Sequence, residues 1–253
     1  MYKVNRRKFI RGLGTVAGGA AIAASTGCVS SHAMGRGGHV VVVGGGTGGA
    51  TTAKYLRRLN ENVQVTLIEA NPVHHTCYLS NEVLSGDRSL DDISVGYDGL
   101  KAHGVKVIID KVTGIDPDAK TVSIAGGDKI SYDRCVVSPG VDFKWEAIQG
   151  YDAATSERTP HAWKAGPQTL TLRKQLVAMD DGGTVAIVAP PNPFRCPPGP
   201  YERASQIAMY FKHHKPKSKI LILDPKDAFS KQGLFKQAWS KMYGYDTDNS
   251  MIE

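Results

Sequence analysis

Apolar positions along the chain group into short β-branched runs alternating with helically spaced stretches, the pattern of a parallel sheet with helical crossings. Residues 40–43 are four consecutive valines, as in a strand buried on both faces. Residues 50–56 turn alanine and leucine to one side as a helix would, and the apolar run 63–68 ends in Glu69. Residues 71–86 read as a loop with a short helical tail. Residues 91–103 alternate acidic and apolar positions at helical spacing, and 105–109 predict the third parallel strand. Between 112 and 132, short strands broken at Asp116-Pro117-Asp118 and Gly126-Gly127 predict a β-meander inserted in the α/β core. Residues 134–137 read as another buried strand.

The pattern weakens over residues 141–166, polar apart from Trp145 and Trp163, which suits a crossing into a second domain. An amphipathic helix is predicted over 167–179, with Pro167 suited to its first turn. A strand at 184–188, a loop at 189–200, a helix at 201–213 and a strand at 219–223 ending in Asp224 form a second βαβ unit. Regular elements then run out mid-fold before Glu253. The class is α/β, with domains at 39–145 and 160–253.

Charge changes this picture little. The formal charge of +7 includes Lys3, Arg6, Arg7, Lys8 and Arg11, which have no acid beside them in residues 1–33. Taking those five from +7 leaves +2 on the rest, so no nucleic-acid partner is implied. Asn5-Arg6-Arg7-Lys8-Phe9-Ile10 resembles the twin-arginine export consensus. A Gly/Ala-rich stretch at 12–27 follows, too short and too rich in glycine to span a membrane, and Ser31-His32-Ala33 suits cleavage. Residues 1–33 are therefore an export signal, and the mature protein is expected in the periplasm. Lipidation at Cys28 ranks below cleavage, because Ser25 stands where leucine is usual.

The candidate chemistry begins at the first turn. Gly44, Gly46 and Gly49 have G-x-G-x-x-G spacing between a strand and a helix, with Glu69 about 20 residues further on. In such a turn the first glycine permits the bend, the second lets a pyrophosphate approach the backbone, and the third lets helix and sheet pack closely. The acid would accept from a ribose hydroxyl. In the second unit the corresponding turn instead reads Ala189-Pro190-Pro191-Asn192-Pro193-Phe194-Arg195-Cys196-Pro197-Pro198-Gly199-Pro200. Proline has no N–H and a fixed φ, so this loop cannot cradle a pyrophosphate, and NAD(P)H binding is not expected. Asp224 reads more simply as a strand-end residue.

Cys77, Cys135 and Cys196 remain outside the export segment, an odd number for an oxidising compartment. Cys196 sits in a proline-stiffened loop before a helix N-terminus that favours a thiolate; a structural disulfide or inert thiol is the alternative. Cys77 follows the Glu69 strand by a short loop and either packs as a free cysteine, bonds to a cofactor or joins a redox pair. Cys135 reads as structural, and His74 and His75 as a solvated loop. No metal set and no C-x-x-C-H haem site are present.

A fingerprint, a β-meander, Tyr132-Asp133-Arg134-Cys135-Val136-Val137-Ser138-Pro139-Gly140 and a second βαβ unit together resemble the two-dinucleotide-fold flavoproteins, whose first unit binds FAD. The implied fold is a Rossmann-like FAD domain with a β-meander plus a second, degenerate and incomplete Rossmann-like domain. Residues 40–54, 77–83, 97–100, 160–166 and 194–205 resemble, more narrowly, the flavoprotein subunit of flavocytochrome c sulfide dehydrogenase. That resemblance implies a thioether from Cys77 to FAD and a redox-active disulfide involving Cys196, the expected catalytic residue. The expected cofactor-binding set is Gly44, Gly46, Thr47, Gly49, Glu69, Cys77, Val112, Ser138 and Gly140. It also implies sulfide as substrate, sulfur or polysulfide as product and a c-type cytochrome subunit as electron acceptor; separately, the body of the chain has no 18-residue apolar span, so no transmembrane span is expected. In the family the second disulfide cysteine, a Gly-Asp element and an interface domain fall beyond residue 253, so a truncated copy or a fragment is implied. A sulfide:quinone oxidoreductase and a non-catalytic FAD-binding fragment are the alternatives.

Overall fold

The computed structural model describes residues 37–253, so the expected export signal and Cys28 lie outside the described residues. The valine run forms β1 (His39–Val43), which pairs in parallel with β2 (Gln64–Glu69) on one side and β9 (Arg134–Val137) on the other. With β5 (Val105–Ile109) beyond β2, the sheet order is β5-β2-β1-β9. Val41 and Val42 are both fully buried on opposite faces. Val42 packs with Ala53, Leu67 and Leu100, while Val41 packs with Ile68, Val122 and Ile124. The first face is covered by α1 (Thr47–Leu59), and the second by the antiparallel meander β6 (Val112–Asp116), β7 (Thr121–Ile124) and β8 (Lys129–Ser131).

Two expectations for this half need correction. Residues 91–103 are not one helix: a 3-10 turn at Asp91–Ile93 leads to β4 (Ser94–Val95), which pairs antiparallel with β3 (His74–His75), and α3 (Asp98–Ala102) follows. The α2 helix (Ser80–Ser85) lies between these partners in sequence. Asp92 Oδ2 accepts from the Ser89 N–H and hydroxyl, closing a local turn, and pairing to β3 overrides the helical spacing. The second correction concerns β9, an edge strand with Cys135 only half-buried and Val137 57% exposed, not a strand buried on both faces.

In the second half, α4 (Ala153–Ser156) and α5 (Pro167–Ala178) precede the parallel pair β10 (Thr184–Val188) and β11 (Lys219–Leu223), which are connected by α6 (Gly199–His214). Along α5 the apolar residues do not keep to one face: Leu176 is buried while Leu170 and Val177 are exposed. Nor do regular elements run out after Asp224. A further helix, α7 (Gln232–Tyr243), follows, and Ile252 pairs in parallel with Ile220, whose N–H donates to Met251 O at 2.8 Å. Tyr201, Ile207, Phe211, Ile220, Trp239 and Ile252 form the core here. Leu84 of α2 lies in that same core, so the tail of the 71–86 loop is packed against α6. Among the described residues no helix is long and apolar enough to cross a membrane.

Candidate functional site

Each of the three fingerprint glycines answers to a different constraint. Gly44 has φ +96°, and a Cβ there would stand 2.1 Å from Ser138 O. A Cβ at Gly49 would stand 1.9 Å from Gly44 O, so only glycine lets α1 approach β1 this closely. At Gly46 the nearest atom, His74 Cε1, would be 3.7 Å away, which leaves the turn open on the side a ligand would approach. Thr47 begins α1, whose first turn has neither a side-chain cap nor an acidic residue. Its free N–H groups and positive dipole end therefore face outward uncompensated, which suits a pyrophosphate.

Glu69 and Ser138 flank this turn. Glu69 Oε2 accepts from Gly45 N–H at 2.6 Å, and Oε1 accepts from the Asn71 backbone and side chain at 3.0 and 3.1 Å. The Ser138 N–H donates to Val43 O at 2.8 Å. Tyr97, to which sequence reasoning gave no role, lies beneath and donates to Gly45 O at 3.2 Å. Burial, and then the Glu69 charge, push its phenol up to about 12. The other two expected cofactor residues are placed differently. Val112 packs into the core on the meander face, and Gly140 is exposed past Ser138 at φ +77°.

Residues 74–81 form a bridge from this cradle to α6. His74 stands over Gly46, and the Tyr78 hydroxyl donates to Thr47 Oγ1 at 3.1 Å. At the far end, Asn81 Nδ2 donates to Glu202 Oε1 at 2.9 Å, and Asn81 Oδ1 accepts from Arg203 Nε at 3.3 Å. Cys77 is free and exposed between these anchors. His74 and His75 are half-buried strand residues, not a solvated loop, and His75 Nδ1 lies 2.8 Å from Ser94 Oγ.

Cys196 is also free and exposed, at φ +58°, and its carbonyl accepts from the N–H of Gly199 at 2.8 Å. The start of its loop is held by Lys226, whose Nζ donates to Pro190 O at 2.8 Å and to Asp224 Oδ1 at 2.5 Å. Asp224 also accepts from the Tyr201 hydroxyl, so its carboxylate is engaged within the protein. At the loop's end the buried Arg203 donates to His161 O at 2.5 Å and Ala162 O at 2.7 Å. His161 Nδ1 accepts from the Trp163 N–H at 3.0 Å. Burial, then the charges of Arg203 and Lys164, lower its imidazole to about 4 against the opposing pull of Asp142. Cys135 is half-buried, and burial raises its thiol, as suits a structural residue. Among the described residues no three His, Cys, Asp or Glu side chains gather as a metal set.

A glycine cradle on one parallel unit and a cysteine loop on a second define a two-dinucleotide-fold oxidoreductase. The family described as pyridine nucleotide-disulphide oxidoreductase matches residues 38–185, and that described as sulfide dehydrogenase (flavocytochrome c) flavoprotein chain, central, matches 169–253. The chain belongs to the pyridine nucleotide-disulphide oxidoreductases, as a flavoprotein of the flavocytochrome c sulfide dehydrogenase and sulfide:quinone oxidoreductase type. It is 59% identical over 44 residues to the sulfide dehydrogenase (flavocytochrome c) flavoprotein chain of Chlorobaculum thiosulfatiphilum, covering 17% of this chain and 92% of that one. The sulfide-quinone reductase of Aquifex aeolicus is 40% identical over 103 residues, 40% of this chain and 24% of the relative. The solved structure of the Aquifex aeolicus sulfide:quinone oxidoreductase matches with a TM-score of 0.59 at 29% identity, over 73% of this chain and 43% of that one. The chain thus spans less than half the length of these sulfide:quinone relatives.

Proposed function

We propose that this chain is the flavin-binding part of a periplasmic sulfide-oxidising enzyme that passes electrons to a c-type cytochrome. The observation that carries this reading is the 74–81 bridge, which fastens the exposed Cys77 to the glycine cradle through Tyr78 and to α6 through Asn81. Gly46, Thr47 and the first turn of α1 would hold the pyrophosphate of FAD, with Glu69 and Ser138 at the rim. A thioether through Cys77 would keep the cofactor bound after export. When bound, the flavin supplies a two-electron acceptor that a one-electron cytochrome can reoxidise.

Cys196 would handle the sulfur. In its oxidised form it shares a disulfide with a second cysteine. Hydrosulfide attack on that disulfide forms one S–S bond and breaks another, leaving a persulfide on one cysteine and a thiolate on the other. The thiolate holds the electron pair for the flavin. The second unit offers no competing nicotinamide route, because prolines replace the phosphate turn and Asp224 is taken by Lys226 and Tyr201. The flavocytochrome match over 169–253 supports the cytochrome as acceptor, and the twin-arginine-like leader supports the compartment.

The test is anaerobic addition of sulfide to the flavin-loaded protein, monitored by bleaching of the flavin band. Cys196→Ser in the complete protein should abolish rapid bleaching; unchanged bleaching would refute the assignment of Cys196.

A further inference from the structure

Arg203 carries a buried positive charge that forms no ion pair with a carboxylate among the described residues. Its guanidinium donates to His161 O, Ala162 O and Asn81 Oδ1, all neutral acceptors. Glu202, the neighbouring acid, instead accepts from Asn81. A buried cation hydrogen-bonded only to neutral acceptors, with its nearest carboxylate held one amide away across Asn81, remains costly, and a closer anion relieves that cost.

The surroundings show where such an anion would form. The guanidinium carbon lies 5.2 Å from the centroid of the Trp163 ring. The same ring packs against Gly199 beside the Cys196 sulfur: a Cβ at Gly199 would stand 2.6 Å from Trp163 Cη2 and 3.4 Å from Cys196 Sγ. Cys196, Gly199, Trp163 and Arg203 therefore form one packed series at the start of α6.

We propose that Arg203 is a positioning residue whose buried charge stabilises the anionic sulfur formed at Cys196 and whose hydrogen bonds fix the Trp163 strap beside it. This deepens the sulfide-oxidising reading and rests on Cys196 being its sulfur-handling residue. Burial draws the guanidinium down to about 10, opposed first by the Glu202 charge and then by that of Cys196. The other charges nearby are the exposed Arg195 and Glu202 and the nearly buried Lys226, whose Nζ lies 4.9 Å from the Phe194 ring centroid and donates to Asp224; His161 is held neutral at pH 7.

Alkylation of Cys196 in the reduced, flavin-loaded protein tests this, read by peptide mass spectrometry against free cysteine in the same tube. In the wild type, the rate ratio of anionic iodoacetate to neutral iodoacetamide should be about fivefold higher at Cys196 than for free cysteine, and Arg195→Gln should leave that excess in place. Arg203→Gln should slow alkylation by iodoacetamide about tenfold, and Arg203→Lys should restore most of the rate. Equal slowing in the glutamine and lysine variants would overturn the proposal. If Arg203→Gln does not fold, the ratio decides: a wild-type value equal to that of free cysteine, or an excess abolished by Arg195→Gln, overturns it. The underlying reading fails separately, through unchanged sulfide bleaching in Cys196→Ser, while the alkylation result stands by itself.

Discussion

Asn81 and Arg203 meet at 3.3 Å across a gap of more than a hundred residues in sequence, and this contact joins the Cys77 segment to the Cys196 helix. The Asn81 amide uses both ends, accepting from Arg203 and donating to Glu202. Asn81→Ala leaves the Arg203 Nε–H without its acceptor in a buried site, which should cost about 1–3 kcal/mol in denaturant unfolding. Asn81→Asp restores an acceptor for Arg203 but cannot donate to Glu202, so its loss should differ from that of alanine. Equal losses would show that the amide's two-ended bonding is not what matters.

The glycines of the first turn should separate fold from ligand. Gly49→Ala places a methyl 1.9 Å from Gly44 O and must shift backbone, with an expected loss of about 1–3 kcal/mol. Gly46→Ala meets only His74 Cε1 at 3.7 Å, so thermal stability of the cofactor-free protein should barely change. Flavin retention should nevertheless fall, because the added methyl enters the face left open for the pyrophosphate. Wild-type retention in Gly46→Ala would argue against the cradle.

Much of this was legible in the sequence, and the rest had identifiable reasons for being hidden. The valine run, the glycine spacing and the proline loop are local signals, and they fixed two parallel units and the meander between them. Residues 91–103 misled because their helical spacing is outweighed by pairing of Ser94–Val95 with His74–His75, a contact nothing nearby encodes. Arg203 and Asn81 were equally hidden: each reads as an ordinary polar residue on a helix until chain crossings bury one and join it to the other. The parallel pairing at Ile252 was missed because a bridge formed by the last few residues has no run long enough to read as a strand.

Lys226 and Asp224 should behave as a coupled, nearly buried pair, their side chains 9% and 13% exposed. Burial raises the Asp224 carboxyl, but hydrogen bonds from Lys226 and Tyr201 and the Lys226 charge outweigh it and leave the group below its ordinary value. The stability it contributes is therefore present above the unfolded carboxylate pKa and is lost as pH falls through the lower, folded one. Lys226→Met should cost about 3–5 kcal/mol by stranding that carboxylate, and adding Asp224→Asn should recover part of the loss. Simple additivity in the double variant would refute the coupling.

His161 sets a second pH dependence. Its imidazole titrates near 6.5 when unfolded and about 4 when folded, so the native state binds the proton less readily than the unfolded one. Stability tied to this group is complete above about pH 6.5 and declines as pH falls toward 4. Protonation at Nδ1 would also remove the acceptor for the Trp163 N–H. His161→Asn, which cannot take up that proton, should flatten this part of the pH profile of unfolding. An unchanged profile would assign the acid sensitivity to other groups.

Cys77, exposed between the Tyr78–Thr47 and Asn81–Glu202 contacts, is proposed to anchor the flavin covalently. Denaturing and precipitating the flavin-loaded protein measures this most directly. With a thioether at Cys77, the yellow colour should stay with the pellet and the peptide bearing Cys77 should gain the mass of the cofactor. Colour released entirely to the supernatant, with an unmodified Cys77 peptide, would contradict it.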